Sequence, residues 1–117
     1  MSRRNVAILI FDEVEILDFA GPYEVFATTR QHDAEPPFYV YTVAEKAGPI
    51  AARNGLSVNP NYTIFDCPKP DILLVPGGRG TRAAIHNEAL LDWIKQVAEM
   101  TELTLSVCTG SLVLGKA

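Results

Sequence analysis

At 117 residues the chain has room for one domain and not for two. Its 48% hydrophobic and 21% charged residues exclude wholesale disorder, and its longest apolar runs are far too short to span a membrane. A net charge of −4 with scattered basic residues leaves no electrostatic footprint for nucleic acid in this segment. Two cysteines without a CxxC pair give no zinc pattern, and with no signal peptide legible, a cytoplasmic setting with free thiols is expected.

In chain order, Asn5–Phe11 is a continuous β-favouring apolar run, as expected for a strand covered on both faces. After an acidic stretch, Gly21-Pro22 is expected to open a helix running to about Arg30, with Pro22 in the first turn, where a missing N–H costs little. Phe38–Val43 is the second strand. Asn54-Gly55 between short apolar segments, bounded by Pro60, predicts a small antiparallel excursion at the sheet edge over residues 50–64. Asp71–Val75 is the third main strand and ends abruptly at Pro76-Gly77-Gly78. A helix from about Glu88 to Met100 carries Leu90, Leu91, Ile94, Val97 and Ala98 in one core-facing stripe. Leu103–Val107 is the last strand, running straight into Cys108-Thr109-Gly110-Ser111 and an apolar helical segment.

Strands alternating with helices predict an α/β fold, a doubly wound and mainly parallel sheet with helices on both faces. Ligands bind beyond the carboxyl ends of such strands. Three segments converge there: Asp12–Asp18, Pro76-Gly77-Gly78 and Cys108-Thr109.

Cys108, between a strand and a helix, has the layout of a nucleophile elbow, and the helix start is expected to favour its thiolate and hold its pKa below the ordinary value. A buried, inert cysteine is the alternative, which this junction disfavours. The N–H groups of Gly77 and Gly78 can point at a negative charge developing on a substrate, or simply form a tight turn. Glu15 and Asp18 share a face if their segment is helical, and either carboxyl beside the sulfur can hold a proton for transfer. Asp18 has the second reading of a cap for the helix near Pro22. Asp12 and Glu13 read as solvated turn residues. Thr109 offers its hydroxyl or only its backbone N–H. His32 and His86 read as surface residues, Cys67 as incidental and Trp93 as packing.

The opening strand, Leu17-Asp-Phe-Ala-Gly-Pro22, Asp71-Ile-Leu-Leu-Val-Pro-Gly-Gly78 and Ser106-Val-Cys-Thr-Gly-Ser-Leu-Val-Leu-Gly115 resemble, in order, the ThiJ/PfpI superfamily. That resemblance implies a class I glutamine-amidotransferase-like, flavodoxin-like fold. Leu-Asp-x-x-Gly-Pro together with Val-Cys-Thr-Gly-Ser looks most like the isonitrile hydratase branch, and very similar segments occur in ligand-sensing domains of AraC-type transcription regulators. In that branch the resemblance assigns the nucleophile to Cys108, the acid/base to Asp18 and a supporting role to Thr109. It implies hydration of an isonitrile to an N-substituted formamide, with no metal or organic cofactor. A small-molecule substrate and a homodimer are the expected partners.

Glu15 matches the glutamate that other branches place against their cysteine, so the sequence carries both acids; Asp18 lies in the more specific motif. With Glu15 as the working acid, an oxoaldehyde or oxidative-stress role is the further alternative. The family's domain continues past the helix in which Ala117 stands, so residues 1–117 are expected to be the N-terminal part of a single domain. Leu112, Val113 and Leu114 are then expected to be poorly covered. A sensing domain would need a helix-turn-helix region after residue 117, and an amidotransferase-type histidine would also come from there.

Overall fold

A computed structural model describes residues 3–29 and 36–117. Its elements in chain order are β1 (Arg4–Leu9), α1 (Ile16–Thr28), β2 (Phe38–Ala44), β3 (Ile50–Ala51), β4 (Ser57–Val58), β5 (Tyr62–Thr63), β6 (Ile72–Val75), α2 (Thr81–Ala84), α3 (Glu88–Ala98), β7 (Leu103–Ser106) and α4 (Gly110–Lys116). Five strands form one sheet in the order β5-β2-β1-β6-β7, and every pairing in it is parallel.

The continuous apolar runs have a direct cause: side chains alternate across the sheet and both faces are covered. Ala7, Leu9, Tyr41, Val43, Leu73 and Val75 pack with Leu90, Ile94 and Val97 of α3 and Val113 of α4. Val6, Ile8, Ile10, Val40, Ile72 and Leu74 face the other way, onto Phe19 of α1. The doubly wound arrangement expected from the alternation of elements is the one observed.

Three expectations need correction. Helix α1 starts at Ile16, not near Gly21, which puts Pro22 inside it. An interior proline typically costs about 3 kcal/mol. Here Ile16, Phe19, Ala20, Tyr23, Phe26 and Ala27 recur at helical spacing and pack on one core. Each large apolar side chain contributes about 1.5–3 kcal/mol when fully buried, so several partly buried ones offset the proline.

The hairpin is real, pairing Ile50 with Val58 and Ala51 with Ser57, with Asn54 and Gly55 at φ 65° and 88°. It stands as a separate two-stranded sheet, however, and the edge of the main sheet is taken by β5, parallel to β2. Of the residues expected to be poorly covered, Leu112 is exposed and Leu114 half-buried, but Val113 is fully buried. Among the described residues, no helix is long and apolar enough to cross a membrane.

Candidate active site

β6 and β7 lie side by side, and the turns at their carboxyl ends meet. Val107 N–H donates to the Val75 carbonyl (3.1 Å) and Gly110 N–H to the Val107 carbonyl (2.9 Å), folding the chain back within a few residues. Between them Cys108 takes φ 48°, a left-handed conformation that a side-chain-bearing residue rarely adopts. Gly110 has no alternative here: a Cβ would collide with the Val75 carbonyl oxygen. The elbow read from the sequence is therefore present, with Cys108 exposed at its tip.

Helix α1 supplies the opposing group. Because it starts early, Asp18 sits in its first turn and not ahead of it, so the capping role near Pro22 does not hold. The Cys108 thiol donates to Asp18 Oδ1 over 3.8 Å. Gly77 N–H donates to the other carboxylate oxygen, Oδ2 (3.2 Å), and Gly78 N–H donates to Thr109 Oγ1 (3.0 Å). A Cβ on Gly77 would come within 2.7 Å of Thr109 Oγ1 and 3.0 Å of Asp18 Oδ2, so no side chain fits where the turn, the acid and the threonine meet.

That geometry changes the reading of Gly77 and Gly78. From the sequence their amides could face a developing negative charge on substrate or simply form a tight turn. Here each donates to a side chain of the site, and so they place Asp18 and Thr109. With Oδ2 engaged by Gly77, the lone pairs of Oδ1 are the ones left facing sulfur.

The electrostatics also run against expectation. The charge of Asp18 first, then desolvation, the hydrogen bond to Asp18 and the charge of Glu15 push the Cys108 thiol above its ordinary range. Helix α4 has seven residues, and a helix start carries only roughly half a unit charge. A whole carboxylate charge in contact with sulfur outweighs it. Beside Asp18 the protonated thiol of Cys108 is therefore the favoured form.

Glu15 is the N-cap residue of α1, and its N–H donates to the Gly77 carbonyl (3.0 Å). Its charge reaches Cys108, but the carboxyl bonded to sulfur is that of Asp18. Cys67 is half-buried on the core, where burial pushes its thiol up. Trp93 is half-buried against the same core, and His86 is exposed. His32 lies outside the described residues. Among the described residues, no group of three or more His, Cys, Asp or Glu side chains is placed to hold a metal ion.

Asp12 is an exposed turn residue, as read, and has one contact the sequence did not show. It accepts a hydrogen bond from Ala51 N–H at 2.9 Å. A turn aspartate commonly bonds backbone close by in sequence, but the partner here comes from a hairpin far along the chain. A cavity of about 370 Å³ lies beside it, lined by residues including Phe11, Asp12, Glu45 and Asn87 and by neither Cys108 nor Asp18.

Residues 4–117 match the model of the DJ-1/PfpI family. The chain is 38% identical to the isonitrile hydratase of Pseudomonas putida, over 97% of this chain and 47% of that protein. It is 25% identical to the HTH-type transcriptional regulator CdhR of Pseudomonas aeruginosa, over 93% of this chain and 32% of the regulator. The chain thus spans about half the length of the first relative and about a third of the second. The crystal structure of a ThiJ/PfpI family protein from Pseudomonas syringae superimposes with a TM-score of 0.88 at 29% identity, covering 99% of this chain and 46% of that one. The fold, the ordered motifs and the family match agree: the chain belongs to the DJ-1/PfpI family.

Proposed function

We propose that the protein hydrates a small isonitrile to its N-substituted formamide, with Cys108 as nucleophile and Asp18 as the proton carrier. The observation that carries this reading is the contact of Cys108 Sγ with Asp18 Oδ1, with Glu15 present nearby but not bonded to sulfur. The 38% identity to an isonitrile hydratase supports it.

In this reading Asp18 takes the thiol proton as sulfur attacks the terminal carbon of R–N≡C, and returns it to that same carbon. The product is a thioimidate, R–N=CH–S–Cys108. Water then adds to the carbon and nitrogen is protonated, giving R–NH–CH(OH)–S–Cys108. Loss of the thiolate, reprotonated through Asp18, leaves R–NH–CHO. Thr109 Oγ1 already accepts from Gly78, so its own hydroxyl proton is free to orient water or the substrate nitrogen. No metal or organic cofactor enters these steps.

Incubating the natural full-length protein with an alkyl or aryl isonitrile, and following formamide by NMR, tests the reading. Formamide is expected from wild type and none above background from Cys108→Ser. No turnover of any isonitrile by wild type would contradict it. The similarity to CdhR favours a second reading, a ligand-sensing domain. Tight binding of a small molecule without turnover would select that one.

A further inference from the structure

The loop between β1 and α1, which leads into both acids, is held from two sides. On one side the Gly77 carbonyl accepts Glu15 N–H (3.0 Å), Gly80 N–H donates to the Glu13 carbonyl (3.3 Å), and Val14 bridges Gly78. On the other side is the β3–β4 hairpin. Glu13 N–H donates to the Ala51 carbonyl (2.8 Å), and Arg53 N–H donates to the Val14 carbonyl (3.0 Å). One side chain completes the seam: Asp12 Oδ1 accepts from Ala51 N–H at 2.9 Å.

Two features mark this seam as more than incidental. Glu13 is held at φ 64°, where a side-chain-bearing residue stays only if its surroundings fix it. The hairpin pairs only two residues per strand, too few to be stable alone, and Val14 and Ala52 are fully buried where it meets the loop. Hairpin and loop therefore order each other.

We propose that Asp12 is a positioning residue: by fixing Ala51 it locks the β3–β4 hairpin onto the β1–α1 loop, and so holds Glu15 and Asp18 against Cys108. This deepens the reading above and rests on it for turnover. The reactivity of Cys108 tests the brace without any isonitrile chemistry. Asp12 is exposed, and the charges that move the Cys108 thiol are those of Asp18 and Glu15, so its effect runs through placement of those two.

The test compares Asp12→Ala, Asp12→Asn and Asp12→Glu in the full-length protein, by Cys108 alkylation rate at pH 7.5 and by kcat and KM. In Asp12→Ala the acids drift from sulfur, so the thiol titrates lower and alkylation rises by about three- to tenfold. kcat on an isonitrile falls by about tenfold with KM little changed. Asparagine keeps an oxygen acceptor at the same reach and should stay within about twofold of wild type on both measures. Glutamate keeps the charge but moves the oxygen. It should shift both readouts in the direction alanine does, and it keeps the test decisive should the alanine variant fail to fold. Wild-type behaviour of alanine or glutamate, or an asparagine variant as impaired as alanine, overturns the proposal. If wild type does not turn over isonitriles, the function reading fails, and the alkylation comparison alone decides the brace.

Discussion

The molecule's two thiols are both pushed above the ordinary thiol range, for different reasons. Cys67, after β5, is half-buried against a core that includes Tyr41, and burial is what raises it. Cys108 stands exposed on a left-handed turn, and the carboxylates opposite raise it, Asp18 first. A thiol silenced by burial is released by opening the fold. A thiol raised by a neighbouring charge is lowered by a single substitution that removes that charge. Only the second arrangement suits the proposed chemistry, in which the group that raises the thiol, Asp18, would also take its proton.

The largest expected effect breaks the Cys108 side of this contrast. Asp18→Asn keeps the shape and cannot carry the proton, so isonitrile hydration should lose about 10²–10⁴-fold in kcat. Steady-state kinetics with matched KM values would check it. Glu15→Gln should cost less than about tenfold, because that carboxyl acts on sulfur through charge and not through a bond. Should Glu15→Gln abolish turnover while Asp18→Asn spares it, the two acids have been assigned the wrong way round, and an oxoaldehyde-type activity takes precedence.

The smallest effect sharpens the Cys67 side. Tyr41 hydroxyl donates to the Pro68 carbonyl at 2.7 Å, next to Cys67 in the chain, and burial pushes the tyrosine itself up. Tyr41→Phe should cost about 1 kcal/mol of stability in denaturant unfolding. It should quicken labelling of Cys67 and leave Cys108 labelling and turnover unchanged. A change at Cys108 instead would mean the two regions are coupled.

Much of this was legible in the sequence, and what escaped has physical causes. The parallel sheet could be read because strands buried on both faces need unbroken apolar runs, as in Asn5–Phe11 and Ile72–Val75. The elbow could be read because a strand running into Cys-Thr-Gly-Ser leaves little other geometry. The start of α1 could not, since the local signal of Gly21-Pro22 loses to burial of Ile16 and Phe19, which only the tertiary structure supplies. Strand β5 spans two residues, too few for any period to show. The direction of the Cys108 shift depends on a contact between residues ninety positions apart, and helix chemistry alone pointed the other way. That the amides of Gly77 and Gly78 donate to Asp18 and Thr109 was a matter of ångströms that no sequence pattern carries.

The most direct measurement is the alkylation rate of Cys108 against pH, by peptide mapping, in wild type and Asp18→Asn, with Cys67 as the internal reference. Charge from Asp18 favours the protonated thiol, so the wild-type rate should climb only above the ordinary range of about 8.5. Removing that charge should move the Cys108 curve to lower pH and speed labelling near neutrality, even as turnover is lost. The Cys67 curve should not move. An Asp18→Asn curve that coincides with wild type or lies at higher pH, or a wild-type Cys108 that titrates well below the ordinary range, would contradict the account of a thiol governed by Asp18.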